Sequence, residues 1–253
     1  MVEAEVLEAE HILKLASGDM AAVKIPSLLP APLCLQTLRA LDRLPREPYD
    51  IVRVHPPIVH FGPVLNDHRT ESGVAPRYWR VAESSQEAWR STGLSPDPMV
   101  VARHALDSAW GSESKEATVE GRPAFAGVIR EINHGTLIHN DNIMREFGVS
   151  VLDQRVVAQL AFNVYLSVGA TGGATTVWRR KWRPSDEANR IRYGHADVVV
   201  ADALAVTVAP LSGDALLFNS EHYHAVRPIV SGRRVSLAFF IGMTSTDGLI
   251  VWS

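Results

Sequence analysis

From Pro123 onward the chain loses helical periodicity and breaks into short apolar, β-branched runs: AFAGVIREI, TLIHND, VVAQLAFNVYLSV, ATTVWRR, ADVVVA, LAVTVAP, DALLFN and RVSLAFFIG. Gly, Asn, Asp and Pro punctuate them. Many short strands spaced by turn residues can bury their apolar faces in a sandwich or a barrel. The earlier part reads differently. Residues 1–20 form a helical or frayed acidic start, and Ala21–Ile25 reads as a strand closed by Pro26. In LCLQTLRALDRL, leucines 35, 38, 41 and 44 recur at helical spacing until Pro45. Residues 46–80 read as loop with short strands such as Ile58–Phe61. A second helix is expected over Pro98–Trp110, stopped by Gly111. Residues 111–121 are a polar linker within one domain. The expected fold is mainly β, with the helices packed on one outer face of the sheet. Residues 1–120 would be the helical and loop part and 121–253 the β core of a single domain spanning 1–253.

A length of 253 residues suits such a domain. Net charge is −3 and pI about 6.4, which gives no electrostatic case for nucleic acid. No apolar run reaches the roughly 20 residues of a membrane helix. The acidic MVEAEVLEAEH start lacks the layout of a signal peptide, and Cys34 is the lone cysteine. A cytoplasmic location is expected.

The chemistry concentrates in two stretches. On an extended strand, residues i and i+2 point the same way, so His139 and Asp141 can hold one cation together. Alone, His-x-Asp is weak. In the downstream stretch LLFNSEHYHAVRPIVSGRRVSLAFF, His222 and His224 are also two apart, and parity alone does not choose between them. Two histidines and one carboxylate are the ligand set of non-haem Fe(II) oxygenases. Arg234, Ser236, Ala238 and Phe240 share one face of the last long strand. An arginine directed into a barrel needs an anion, and its planar fork suits a carboxylate.

These residues resemble a known pattern: H-x-D, then LLF, then H-x-V-x-P-x-x-x-G-x-R-x-S-L. It is similar to the double-stranded β-helix (jelly-roll, cupin-like) of the Fe(II)/2-oxoglutarate oxygenases. More narrowly, residues 139–253 resemble a bacterial subgroup acting on amino acids and indole alkaloids, which includes the welwitindolinone-type halogenases. The shared features are HNDN, GGATTVWRRKW, SGDALLFNSEHYHAV, the double arginine and the terminal VWS. The resemblance implies His139, Asp141 and His224 as iron ligands and Arg234 as the clamp for 2-oxoglutarate, with dioxygen as oxidant. It also implies hydroxylation, because Asp141 occupies the position that the halogenases leave open for halide.

Asn163 and Tyr165 alternate on one strand and are candidates for holding 2-oxoglutarate. Asn142, next to the ligand motif, and Trp252, near the C-terminus, are candidates for touching substrate. The run Arg179-Arg180-Lys181-Trp182-Arg183 is a candidate reader of an anionic group, set against the ordinary reading of a solvated loop. His55, His60, His68 and His134 read as surface or loop histidines. The expected partner is a small, anionic molecule: an amino acid, an acylated amino acid or a related natural-product intermediate. A nucleotide, a desaturase, cyclase or epimerase outcome, a non-catalytic cupin-like binding protein and a homodimer are the alternatives kept in view.

Overall fold

A computed structural model describes residues 1–71, 73–147, 151–246 and 248–253. In chain order its principal elements are α1 (Ala9–Ser17), β1 (Ala22–Ile25), α2 (Ala31–Leu41), β2 (Val59–Phe61), α3 (Pro76–Ser91), α4 (Pro98–Trp110), β3 (Val128–Glu131), α5 (Ile143–Phe147), β4 (Val156–Ser167), β5 (Thr175–Lys181), β6 (Arg190–Ile191), β7 (Gly194–His195), β8 (Ala205–Val208), β9 (Ala215–Asn219), β10 (His222–Val226), β11 (Val235–Thr244) and β12 (Leu249–Trp252). The larger sheet runs β1–β9–β4–β11–β3–β2, with β12 paired to the far half of β11. The smaller runs β8–β5–β10.

Strand parity sorts the side chains of the two longest strands into an outer and an inner set. Leu160, Phe162, Val164 and Leu166 of β4 join Val235, Leu237, Phe239 and Ile241 of β11 in the main apolar core. Ile12 and Leu15 of α1, Leu33 and Leu41 of α2, and Leu106 of α4 cover that face. Phe162 stacks on Phe239 at 4.9 Å and 14°, worth about 1 kcal/mol beyond simple burial. The opposite face carries Ala161, Asn163, Tyr165, Arg234, Ala238 and Phe240, which line a chamber completed by Thr175, His224 and Val226 of the smaller sheet. A one-residue slip of β4 would exchange the two sets, so the register is fixed on both faces.

The expected helix over Pro98–Trp110 is α4. The Asp97 carboxylate accepts from the Met99 N–H at 2.8 Å, and Gly111 closes the helix at φ 81°. Three local expectations are corrected. α2 ends at Leu41 and buries Leu33, Cys34, Thr37 and Leu41, whereas Leu35 is exposed. ADVVVA is a 3₁₀ turn at Asp197–Val200, with Val199 and Val200 against Tyr223. TLIHND pairs only through the isolated bridges Ile138–His195 and His139–His224. Within the linker of residues 111–121, Lys115–Glu116 adds to β12 in parallel.

Candidate metal centre and its chamber

His139 and His224 face each other across the two-way bridge. The His139 N–H donates to the His224 carbonyl at 3.0 Å, and the return bond is 2.7 Å. Two residues on, the Asp141 N–H donates to the Ser220 carbonyl at 2.8 Å. The backbone therefore delivers all three side chains to one point. The Nδ1 of His139 lies 2.8 Å from the Leu137 carbonyl, and that of His224 lies 2.9 Å from the His222 carbonyl. A carbonyl only accepts, so each Nδ1 carries a proton, and each Nε2 is the ring atom left to face the site. The Asp141 Oδ2 is 3.3 Å from the His224 Nε2 and 3.9 Å from the His139 Nε2. The three donor atoms lie within 4.8 Å of one another. Donors about 2.1 Å from one ion, at right angles, are about 3 Å apart, so the triad fits a divalent cation after a small contraction.

The electrostatics agree with that fit. Burial, then the neighbouring His224, holds the His139 imidazole down at about 4, so it is neutral at physiological pH. Burial alone would raise the Asp141 carboxyl. His139, His224 and Arg130 outweigh it and keep the group well below the usual carboxylate range. The donor set is thus two imidazoles, with that of His139 neutral, and one carboxylate.

His222 does not join them. A register shift in the β5–β10 ladder separates Val177–His224 from Lys181–His222. The His222 ring lies against Gly18, and its Nδ1 has no partner among the described residues.

Arg234 is 3% exposed and faces the same chamber. Its Nε donates to the Gly173 carbonyl at 2.9 Å, and its Nη2 to Thr175 Oγ1 at 3.1 Å and the Tyr165 hydroxyl at 3.5 Å. These partners are neutral oxygens, and no carboxylate pairs with Arg234 among the described residues. Burial pulls its pKa down, against Tyr165. Asn163, one inward step along β4 from Tyr165, lines the same space. By contrast Arg233 points away, bound to Glu131 at 2.8 Å and Asp42 at 2.9 Å.

The chamber holds about 160 Å³, and a wider mouth of about 780 Å³ opens beyond it. The two share Arg53, Asn66, His139, Asp141 and Tyr193, so they meet at the triad. The Tyr193 hydroxyl accepts from the Leu137 N–H at 2.9 Å, and its ring stands edge-on to His139 at 5.5 Å. The mouth carries Arg53, Arg69, Arg145, Arg190 and Arg192 against Asp50, Asp67, Asp141 and Glu146. Burial, then Asp141, pushes the Glu146 carboxyl up to about 7.

The residues assigned to substrate from sequence sit elsewhere. Asn142 caps α5 through the Arg145 N–H at 3.1 Å and donates to Glu221 at 2.8 Å. Trp252 is 1% exposed and packs behind Phe240, so it belongs to the core. Arg180 makes a bidentate pair with Asp186 at 2.7 and 3.0 Å, and Lys181 pairs with Glu221. Arg179 and Arg183 line a separate surface hollow. None of the four lines the chamber or its mouth. The arginines at the mouth, together with Arg130, Tyr49, Asn66 and Tyr193, were missed. Arg130 alone carried a signal: a charged residue at an inward position of AFAGVIREI.

Residues 127–242 match the family described as the 2OG-Fe(II) oxygenase superfamily. Over its whole length the chain is 45% identical to L-gamma-glutamyl-L-propargylglycine hydroxylase of Streptantibioticus cattleyicolor, covering 95% of that protein. The chain belongs to the 2OG-Fe(II) oxygenase superfamily. It is an oxygenase, with Fe(II) and 2-oxoglutarate as cofactor and co-substrate and a small molecule as substrate. A second relative, leucinostatins biosynthesis cluster protein S of Purpureocillium lilacinum, is 31% identical over 54% of this chain and 61% of its own. An N-substituted L-amino acid dioxygenase of Burkholderia ambifaria, solved with alpha-KG, superposes with a TM-score of 0.61 at 15% identity, over 97% of this chain and 91% of that one. At that identity the likeness establishes the fold: a double-stranded β-helix. The helices of residues 1–120 pack outside it.

Proposed function

We propose that this oxygenase hydroxylates an anionic amino-acid derivative of the γ-glutamyl dipeptide kind, at iron held by His139, Asp141 and His224. One observation carries the reading: three ligand atoms within 4.8 Å of one another share a chamber with a buried, acid-free Arg234. Bound there, Fe(II) would supply the redox chemistry by which dioxygen is reduced, one oxygen atom going to the C–H bond as hydroxyl and the other to 2-oxoglutarate, which leaves as succinate and CO2. The protein's part is placement. Leu137 and His222 fix the histidine tautomers through their carbonyls. Arg234, steadied by Gly173, Thr175 and Tyr165, binds the far carboxylate of 2-oxoglutarate, and Asn163 faces the same molecule. The apolar wall of Val54, Ile58, Val226 and Ala238 keeps water from the reacting carbon.

The anion-reading role moves from the 179–183 run to the mouth. There Arg192, on the β6–β7 turn at φ 55°, has no side-chain partner among the described residues, and Arg69 donates only to the Glu146 carbonyl. The identity to a γ-glutamyl dipeptide hydroxylase supports the substrate class. Cys34, buried as a free thiol, suits the cytoplasm, and a homodimer is the assembly to test by sedimentation.

The test is succinate formation from Fe(II), 2-oxoglutarate and a panel of amino acids and γ-glutamyl dipeptides, with mass spectrometry for one added oxygen. Iron content should fall in His139→Ala and His224→Ala and stay in His222→Ala. Iron retained by His224→Ala but lost by His222→Ala overturns the ligand assignment.

A further inference from the structure

Arg130 is an inward residue of β3. In the ladder it stands opposite His60 of β2 on one side and Ser236 of β11 on the other, and Tyr165 of β4 continues the row beyond Ser236. It lines the same chamber as the triad. Its Nε donates to the Tyr49 hydroxyl at 2.8 Å. Its two terminal nitrogens have no partner among the described residues, and no acid pairs with it. A guanidinium fork held open in a mostly apolar chamber is matched by a carboxylate, in two parallel bonds.

The co-substrate does not use it up. 2-Oxoglutarate has two carboxylates. One is taken by the metal, and the other by Arg234, which lies on the β5 side of the row. Arg130 lies on the opposite flank, where the wall comes from Tyr49, Val54 and Ile58. That flank opens toward the mouth through Arg53 and Asn66, which line both spaces. Asn66 adds a second polar requirement. Its Nδ2 donates to Glu146, which leaves its Oδ1 buried without a donor. An open fork and an orphaned acceptor beside one metal centre ask for a carboxylate and an N–H on the same ligand. That is the main-chain end of an amino-acid residue.

We propose that Arg130, oriented by Tyr49, binds the carboxylate of the residue that is hydroxylated, and that Asn66 accepts that residue's N–H. The proposal rests on the reading above that the chamber holds iron and 2-oxoglutarate, and it extends that reading to the substrate's orientation. The far end of the molecule then reaches the arginines of the mouth. Arg130 and Asn66 are specificity residues, and Tyr49 is a positioning residue.

The test compares wild type with Arg130→Gln, Asn66→Ala and Tyr49→Phe, using L-γ-glutamyl-L-propargylglycine and its C-terminal carboxamide as probes. If another panel member is the better substrate, that acid and its amide replace them. Arg130→Gln should raise KM for the acid roughly a hundredfold, with iron content and KM for 2-oxoglutarate unchanged. Wild type should lose a similar factor on the amide, and Arg130→Gln should barely distinguish acid from amide. Tyr49→Phe should raise KM for the acid only a few-fold and leave kcat, a split that a general loss of fold would not give. An equal rise in KM for 2-oxoglutarate in Arg130→Gln overturns the proposal by placing Arg130 on the co-substrate. Undiminished discrimination against the amide overturns it as well. The underlying reading fails differently: wild type would turn over no panel member although 2-oxoglutarate still raised its melting temperature. That result would remove the substrate class and Arg130's role with it.

Discussion

Replacing Arg234 by methionine should abolish most 2-oxoglutarate binding and barely change the stability of the unliganded protein. The guanidinium is 3% exposed and its partners are neutral oxygens. Burying a charge without a counter-ion costs several kcal/mol, and losing each hydrogen bond from a charged donor costs roughly 1.5–3 kcal/mol. In Arg234→Met both contributions vanish, so they largely cancel. The expected net change is within about 1–2 kcal/mol, a shift of at most a few degrees for a chain this size. Binding does not cancel. Truncating one partner of a buried, bidentate charge pair costs about 3–5 kcal/mol, which is on the order of 10²–10⁴ in affinity. The assay is anaerobic thermal unfolding with Mn(II), with and without 2-oxoglutarate. At a hundred times its Kd, 2-oxoglutarate adds about 2.7 kcal/mol to wild type, and the variant should lose that increment. Arg233→Ala is the control. It breaks ion pairs to Glu131 and Asp42 and should lower the melting temperature while keeping the increment. A full increment in Arg234→Met, or its loss in Arg233→Ala, would refute the clamp.

With chloride in excess, wild type should give one added oxygen and no chlorinated product, because Asp141, 3.3 Å from the His224 Nε2, is the proposed third ligand; a chlorinated product by mass would remove Asp141 from the iron. Burial holds the His60 imidazole down at about 4, so the unfolded chain binds more protons between there and 6.5. Stability is therefore full above the unfolded value and falls as pH drops through that window. With Asp67 only 3.9 Å from its Nε2, we expect a loss of about 1–2 kcal/mol, and chemical denaturation of His60→Asn should show a flatter pH profile. Gly172→Ala would set a Cβ 2.1 Å from the Pro228 carbonyl oxygen at φ 86°, and should cost roughly 2 kcal/mol or more in denaturant titrations.

The pairing of His139 with Asp141 in the candidate metal cluster was legible because it is local, whereas the choice of His224 over His222 came from the resemblance. His139 and Asp141 are two apart, and Arg234 stands ten residues past His224 across one turn. Parity grouped the side chains of β4 and β11 into two faces, and the chamber shows which face is inward. α4 was legible from Asp97-Pro98 and Gly111, which cap it. α3 was not, because it buries only Tyr78, Ala82 and Ser85 on an otherwise charged helix. ADVVVA misled because a short apolar run fits a strand and a tight helical turn alike. The arginine run misled for another reason. The carboxylates facing Arg179, Arg180 and Lys181 are Asp19, Asp186 and Glu221, and no spacing links them to the run.

The two halves of the site therefore differ in how they are encoded. On the proposed reading, iron and 2-oxoglutarate would meet residues of the strand core and its bridge, whose side chains alternation sorts onto shared faces. On the reading proposed above, the substrate would meet Tyr49, Arg53 and Asn66, which come from loops and a 3₁₀ turn ahead of the core and line the chamber with Arg130. A change in that segment can alter which molecule enters without moving a ligand atom of the triad. Among proteins that keep the His139, Asp141, His224 and Arg234 pattern, differences in substrate should then track residues 49–69 and position 130. Exchanging those residues between two such enzymes should move KM for substrate and leave KM for 2-oxoglutarate in place.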